Sequence, residues 1–357
     1  MRIVWAAAYG GRQRGGFIPA LEAVARRLIA RGDTLEVVVP DVGPASWHDD
    51  VRALGAGLHV VPDGPRAAAR RVAALRGDVV HAHFHDWLVG VTLAVWPSRA
   101  RLVWHLHSAF QTAPGPVRPT PKRWVKYGLL SARAASIVCV TRTIAEEAEA
   151  LGAPARKLLV VPNAVDTERF RPAAPAERAA ARARLGLNGR PAVAFFGRDP
   201  RIKGADVLAE ALRGLGDELA VVAVGTPDDA LAELGRHARV VSVPFTDDVR
   251  EVLWAVDALA LPSRGEGMPF VALEALACGL GIAASDLPWA AELAREHGAV
   301  RLARSEDGAA LAAALRETVR APKPEPAPAG ELDRWAERIV RVYDGGARGR
   351  GRVTERA

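Results

Sequence analysis

The sequence predicts an α/β protein made of two Rossmann-like domains, each organised around a parallel sheet. Its 357 residues are enough for two domains of ordinary size, and 50% of them are hydrophobic, so each domain can bury a core. Apolar, β-branched runs alternate with segments of helical periodicity, which is the pattern of repeated strand-helix-strand units. A helical pattern at 331–345 follows the second domain, and we expect the tail at 346–357 to be disordered.

The first domain opens as a strand, a glycine-rich turn and a helix. We predict strands at 2–8, 35–40, 58–62, 78–83, 101–107 and 136–141, with the first helix at 17–31. The turn reads YGGRQRGG, and its Gly15 and Gly16 directly precede the helix. Such a turn lets the backbone approach a phosphate, although its spacing does not match the dinucleotide fingerprint. A flexible loop without a ligand is the alternative.

Histidines mark the ends of two predicted strands. His81, His83 and His85 alternate in HAHFHDW, and His107 ends the next strand in LVWHLH. Because alternate residues share one face of a strand, three imidazoles in this pattern could hold zinc. The alternatives are histidines that line a cleft without metal, or, for His107, a purely structural role.

The segment 117–133, VRPTPKRWVKYGLLSAR, places basic residues beside an apolar stripe. The apolar side chains include Trp124, Val125, Leu129 and Leu130. A segment of this kind can bind a membrane surface. We favour the alternative, in which a helix packs its apolar side into the core and leaves its basic side in water.

The second domain begins with a predicted strand at 191–197, followed at once by two cations. Arg198 and Lys203 stand five residues apart across a turn, immediately before a helix. Fixed cations stabilise the charge that a leaving phosphate gains, most strongly where water is excluded. A solvated pair of cations is the alternative. Two further strands follow, the first at 221–225 and the second ending shortly before Phe245.

The stretch 261–286, LPSRGEGMPFVALEALACGLGIAASD, carries two carboxylates around a predicted helix start. Pro269 suits the first turn of a helix, so Glu266 lies on the loop before it and Glu274 lies on the helix. Glu274 shares its face with small or apolar residues, and a carboxylate there needs a hydrogen-bond donor such as a ligand hydroxyl. The free N–H groups at the helix start favour a phosphate. The alternative is that both carboxylates are ordinary loop and helix residues.

Glu266 and Glu274, within EGMPFVALEALACG, resemble the signature of the retaining nucleotide-sugar glycosyltransferases of family four. The resemblance covers about residues 1–345 and includes the inter-domain segment at 160–172 and the Gly-Arg to Lys-Gly motif that begins at Gly197. It implies the GT-B fold, in which two Rossmann-like domains with parallel sheets face each other across a cleft. It also implies an acceptor-side N-terminal domain at 1–163 and a nucleotide-sugar-binding domain at 164–330, with the last helix at 331–345 returning to the N-terminal domain.

The resemblance assigns roles to individual residues. It implies that Gly15 and Gly16 approach the donor diphosphate, which Arg198 and Lys203 bind, and that Glu274 holds the ribose. The implied catalytic residues are His107, Arg198, Lys203 and Glu266, of which Glu266 contacts a hydroxyl of the donor sugar. The other implied donor contacts are Phe245, Gly267, Met268 and Phe270. The implied acceptor-side residues are His83, His85 and Phe110, together with the loop 108–116. In the family the strand-end histidines line the acceptor cleft without metal.

The implied reaction moves a hexose-type sugar from a UDP-, GDP- or other nucleoside diphosphate donor to an acceptor hydroxyl with retention. The family is argued to use a front-face path in which the leaving phosphate takes the acceptor proton. The resemblance implies neither a metal nor a cofactor. A nucleotide-sugar epimerase of the same fold and a non-catalytic nucleotide-sugar-binding partner subunit are the alternatives. The acceptor, donor sugar, base and oligomeric state stay open.

Composition narrows the setting of the reaction. The net charge is +7 and the pI about 10.0, but the arginines are dispersed among alanines, so nucleic-acid binding is not predicted. Cys139 and Cys278 are too few for a disulfide framework. No apolar run is long enough to span a membrane and a strand begins directly after Met1, so we expect a cytoplasmic protein. The Ala- and Arg-biased composition favours a bacterial enzyme of natural product biosynthesis or of envelope glycoside synthesis.

Overall fold

The computed structural model describes residues 1–110, 117–187 and 189–345, and within these it divides into two compact units. The first unit contains the described residues up to Ala164 and those from Leu332 onward, and the second contains Val165–Glu331. The tail predicted at 346–357 and most of the predicted acceptor loop, residues 111–116, lie outside the described residues.

The first unit is built on a sheet of seven parallel strands. They are β1 (Arg2–Ala7), β2 (Thr34–Pro40), β3 (Gly57–Val61), β4 (Val79–His83), β5 (Arg101–Leu106), β6 (Ser136–Cys139) and β7 (Leu158–Val160). Their order in the sheet is β3-β2-β1-β4-β5-β6-β7. The order reverses between β1 and β4. In an open α/β sheet, ligands bind at the carboxyl ends of the strands at such a reversal.

Helices flank this sheet, and most of them show apolar residues at helical spacing. They are α1 (Phe17–Ala30), α2 (His48–Ala53), α3 (Pro65–Leu75), α4 (Leu88–Val95), α5 (Pro121–Trp124) and α6 (Arg142–Ala150). In α1 the buried residues Ile18, Leu21, Ala25 and Leu28 recur every three or four positions, which turns one side of the helix toward the sheet. After α5 the chain continues as a π-helical turn and then a 3₁₀ turn as far as Arg133.

The second unit is built on a sheet of six parallel strands. They are β8 (Ala192–Phe196), β9 (Ala220–Val224), β10 (Arg239–Val243), β11 (Ala258–Leu261), β12 (Gly281–Ser285) and β13 (Val300–Ala303). Their order is β10-β9-β8-β11-β12-β13, so this sheet reverses between β8 and β11. The prediction of two α/β units with parallel sheets is confirmed. The sequence analysis did not place β12 and β13.

In the part of the second unit that the structure describes, eight helices accompany the sheet. They are α7 (Pro175–Arg184), α8 (Pro200–Lys203), α9 (Ala205–Leu215), α10 (Asp228–Gly235), α11 (Arg250–Ala255), α12 (Phe270–Ala277), α13 (Pro288–Glu296) and α14 (Gly308–Arg320). The core packs α9 and α14 onto the strands through alanine, valine and leucine. Residues 322–328 form neither helix nor strand.

The last helix, α15 (Glu331–Tyr343), lies on the first unit from Leu332 onward. The Tyr343 hydroxyl accepts a hydrogen bond from Trp5 Nε1 at 2.8 Å and lies 2.7 Å from His81 Nδ1. These contacts join the end of α15 to β1 and β4. Among the described residues, no helix is both long enough and apolar enough to cross a bilayer.

Candidate functional site

In the second unit, the predicted donor residues follow the carboxyl ends of neighbouring strands. Arg198 comes after β8, Phe245 after β10 and Glu266 after β11. Since β8 and β11 are the strands at which the order reverses, Arg198 and Glu266 belong to the loops that flank the reversal. Residues far apart in sequence are therefore gathered at one edge of the sheet.

A glycine brings Lys203 close to the loop that carries Glu266. The short helix α8 is capped by Asp199, whose carboxylate accepts a hydrogen bond from Ile202 N at 3.1 Å. Lys203 ends α8, and Gly204 follows with φ +72°. A Cβ on Gly204 would lie 2.0 Å from the carbonyl oxygen of Pro262, at the end of β11. Only glycine allows this close approach, which sets Lys203 beside the loop after β11.

Lys203 and Glu266 form an ion pair through Nζ and Oε1. The side chains are only 26% and 15% exposed, respectively. Ser263 Oγ also donates a hydrogen bond to the Glu266 carboxylate at 3.3 Å. The predicted diphosphate ligand and the predicted sugar ligand are thus partners of each other. The sequence analysis did not anticipate this pairing.

Arg198 is exposed and lies against an aromatic ring. Its guanidinium carbon is 5.6 Å from the centre of the Phe245 ring. A Cβ on Gly225, which has φ +59° at the end of β9, would lie 2.9 Å from that ring. Among the described residues no carboxylate pairs with Arg198, so its charge is available to an anion. Its position as a diphosphate ligand stays a prediction.

Glu274 is buried on α12, one turn after the helix start. Burial raises the pKa of Glu274 to about 7. The positive charge of Arg169 opposes this increase, and the negative charge of Asp248 adds to it. Gly267 and Met268 are buried and Phe270 is half-buried. The sequence analysis missed Arg169 and Asp248, which form an ion pair at 3.5 Å. The position of Arg169, in the segment that leads into the second unit, was the signal in the sequence that could have revealed this contact.

In the first unit, the loop after β1 is filled by a tyrosine that the sequence analysis missed. Gly15 N donates to the Tyr9 hydroxyl at 3.1 Å, and a Cβ on Gly15 would lie 2.7 Å from that oxygen. The close contact with Tyr9 therefore explains why position 15 is a glycine. The approach of Gly15 to a diphosphate stays a prediction. Gly16 is the residue before the first turn of α1.

The ends of β4 and β5 bring His83 and His107 together. His83 Nδ1 and His107 Nε2 are 3.0 Å apart, and burial holds the pKa of both imidazoles well below the usual range. His107 is half-buried, whereas His83 has no exposed surface. The structure therefore places His83 beneath His107, so that it can act on an acceptor only through that ring. Phe84, with φ +65°, was missed, and its ring lies tilted against His107 with the ring centres 4.6 Å apart. Such backbone strain is typical of functional sites.

His85 turns away from His83 and joins the predicted acceptor side. Its Nδ1 is 2.8 Å from the Tyr127 hydroxyl and its Nε2 is 3.0 Å from the carbonyl oxygen of Ser108. The Phe110 ring lies edge-on to His85, with the ring centres 5.2 Å apart. His85 and Phe110, which were predicted together, are therefore neighbours.

These side chains line a pocket of about 350 Å³ in the first unit. The lining residues are His85, Ala109, Phe110, Thr120, Lys122, Arg123, Lys126 and Tyr127. None of these described residues is acidic, and three are cations. Burial lowers the pKa of Lys126 to about 8. The charge of Asp86 opposes this decrease, and the charge of Lys122 adds to it. The pocket is therefore suited to an anionic group.

The prediction that the apolar side of 117–133 packs into the core is wrong for three residues. Trp124, Val125 and Leu129 are 56%, 43% and 54% exposed, whereas Tyr127, within the π-helical turn, is buried. Core packing of these apolar side chains was the reason for not favouring membrane contact, and their exposure removes that reason.

Two family models match the chain, one in each half. Residues 15–169 match the model described as Glycosyltransferase Family 4, and residues 190–320 match the model described as Glycosyl transferases group 1.

Curated relatives carry the name D-inositol 3-phosphate glycosyltransferase. The protein of Stackebrandtia nassauensis is 31% identical over 92% of this chain and 84% of its own length. The protein of Xylanimonas cellulosilytica is 35% identical over 58% of this chain and 55% of its own length. In several such relatives the chain spans little more than half of the curated protein.

Among solved structures, HepE from Anabaena, in complex with UDP and glucose, has a TM-score of 0.73 at 19% identity. The alignment covers 96% of this chain and 95% of HepE. At this identity the likeness establishes the shared fold.

Proposed function

Because the chain belongs to the family-four glycosyltransferases of the GT-B fold, we propose that it transfers a hexose-type sugar from a nucleoside diphosphate donor to an acceptor hydroxyl. The observation that carries this proposal is the cluster of Arg198, Lys203 and Glu266 around the strand reversal of the second unit. Two cations and a carboxylate at that edge match the charges of a diphosphate and the hydroxyls of a sugar.

The proposed chemistry follows from the charge that develops during transfer. The bond between the anomeric carbon and the phosphate oxygen breaks, and the acceptor oxygen bonds to the same carbon on the same face. The acceptor proton goes to the departing phosphate oxygen. Negative charge grows on the diphosphate, so Arg198 and Lys203 stabilise the transition state more than the bound donor. This route retains the anomeric configuration and uses neither a metal nor a cofactor.

We propose that the nucleoside lies against Phe245 and Glu274. The Phe245 ring is exposed at the end of β10, and the base would lie near it. The Glu274 carboxylate would accept hydrogen bonds from the ribose hydroxyls, which would offset the cost of burying its charge. The structure of HepE with UDP supports a donor of the nucleoside diphosphate class.

The acceptor proposed for this chain carries a phosphate or another anionic group. The pocket beside His85 and Phe110 contains Lys122, Arg123 and Lys126 and no acidic lining residue. Arg123 is held in place by donating to the carbonyl oxygen of Phe110 at 3.0 Å. Relatives named for D-inositol 3-phosphate support an acceptor with both hydroxyls and a phosphate. Such a product would suit natural product or envelope glycoside synthesis in a bacterium.

Product analysis tests the proposed activity. The protein is incubated with UDP-glucose or GDP-mannose and inositol phosphate, with and without a chelator, and the anomeric configuration of any product is read by NMR. Retained configuration and chelator-independent transfer are expected. A sugar epimerised while still attached to its nucleotide would establish the epimerase alternative.

Variants separate an enzyme from a silent binding subunit. Arg198→Ala is expected to lower turnover about 10²-fold while changing donor affinity much less. Arg213→Ala, on exposed α9 surface, is the matched control. Tight donor binding with neither transfer nor donor hydrolysis by the wild type would support the silent subunit instead.

A further inference from the structure

Four histidines share one face of the first sheet beneath the last helix. His81 and His83 alternate on β4, and His105 lies on β5 directly opposite His83 in the register. His81, His83 and His105 have no exposed surface at all. The ring centres of His81 and His105 are 5.3 Å apart and nearly parallel, and those of His81 and His83 are 3.9 Å apart. His107 stacks on His105 from the solvent side at 4.1 Å.

The hydrogen bonds of these imidazoles leave nitrogens without a partner in the part of the chain that the structure describes. His81 uses Nδ1 toward Tyr343, and His83 uses Nδ1 toward His107. Nε2 of His81, Nε2 of His83 and both nitrogens of His105 are buried without a hydrogen-bond partner. A buried polar atom with no partner is costly, and three neighbouring imidazoles that each leave one call for a ligand that the three rings can share.

We propose that His81, His83 and His105 form a binding site for a divalent transition ion of the zinc class. One nitrogen from each of the three imidazoles lies within 4.8 Å of the other two. Zinc bound at about 2.0–2.1 Å to each nitrogen would bring tetrahedral ligands to about 3.4 Å apart, which small ring rotations can supply. Imidazole is a ligand that suits zinc, copper and nickel.

The surroundings favour metal binding in two ways. His81, His83 and His105 have no exposed surface, so bulk water does not compete with an ion for their nitrogens. The Tyr343 hydroxyl can accept from His81 Nδ1, which would leave Nε2 free for the ion and orient the ring, as partners of metal-bound histidines commonly do.

The ion would be structural and would tie three parts of the first unit together. It would link β4 to β5 and, through Tyr343, hold α15 on the sheet. A water would complete the tetrahedral coordination as the fourth ligand. The site differs from the one that the sequence pattern offered, since His85 bonds to Tyr127 and His105 takes its place.

Metal analysis of the whole chain tests the proposal. The wild type is refolded with a slight excess of zinc or cobalt, passed over a desalting column and analysed by mass spectrometry of the metals. About one zinc per chain is expected, and cobalt should give the intense visible absorption of a tetrahedral site. Folded wild type that retains neither ion overturns the proposal, whatever its transferase activity.

Two variants locate the ion. His105→Phe preserves the stacking volume and is expected to lose the bound metal and the cobalt spectrum. His48→Phe is the matched control, because His48 is also buried in the first unit with an unpartnered Nε2 but stands outside the cluster. Metal retained by folded His105→Phe would refute the assignment. If His105→Phe does not fold, the wild-type cobalt spectrum decides, since a weak octahedral spectrum would also refute it.

Discussion

Replacing Glu266 with Gln tests whether a diphosphate competes with this carboxylate for Lys203. The two side chains form an ion pair and are mostly buried. If Lys203 binds the diphosphate, the anion must take over part of the interaction that Glu266 makes. Glutamine keeps the volume of the side chain and removes its charge, so the competition should weaken.

The expected changes in binding and turnover have opposite directions. Surface ion pairs contribute up to about 1 kcal/mol, and this pair is less exposed, so UDP without sugar should bind about 5-fold more tightly to Glu266→Gln. Turnover with the sugar donor should fall about 10²-fold, because the bond to the sugar hydroxyl would lose its charge in the transition state. A misfolded variant would lose both UDP binding and turnover.

Calorimetry with UDP and steady-state kinetics measure the two effects. Glu218→Gln is the matched control, because it removes an exposed ion pair with Arg316 in the same unit, and it should change neither quantity. Equal or weaker UDP binding by a folded Glu266→Gln variant would refute the competition between diphosphate and carboxylate.

Four further outcomes are expected. Because burial raises the pKa of Glu274 to about 7, the affinity for UDP should rise as pH increases through about 7 in calorimetry, and Glu274→Gln should remove this dependence. The same raised pKa means that the contribution of Glu274 to unfolding free energy falls between pH 4.5 and about 7, by on the order of 3 kcal/mol, because only the unfolded chain ionises there. Gly204→Ala should destabilise the protein by about 3 kcal/mol or more in urea, whereas Gly32→Ala, with φ +80° and open space around its Cβ, should cost about 1 kcal/mol; equal costs would contradict the clash with Pro262. Lys122→Ala should raise KM for a phosphorylated acceptor about 10-fold and leave donor hydrolysis unchanged, and an unchanged KM would remove Lys122 from the acceptor pocket.

The alternation of strands and helices was readable from the sequence because it depends on local signals. Hydrophobic periodicity located β1 and α1, and Pro269 located the start of α12, to within a residue or two. The same local signals placed Glu266 on a loop and Glu274 on a helix. β12 and β13 were not predicted because both are short and lack a clear hydrophobic periodicity. A glycine lies at the start of β12, and charged residues follow β13.

The partners of the site residues depend on packing that no local pattern encodes. Lys203 and Glu266 are 63 residues apart and meet because β8 neighbours β11 in the sheet. The raised pKa of Glu274 comes from burial on α12, to which the charge of Asp248 adds and which the charge of Arg169 opposes. Trp124 is exposed and Tyr127 is buried where the chain passes from α5 into a π-helical turn, and no local pattern in 117–133 predicted that turn.

The histidines show the same division in one place. The alternation of His81, His83 and His85 on a strand was evident from the sequence, and it predicted three imidazoles on one face. The register of β4 against β5 sets His105 opposite His83, and the break after β4 at Phe84 turns His85 toward Tyr127. Periodicity specifies which face of a strand a side chain takes, whereas the neighbour across that face is set by strand pairing and by the helix that covers it.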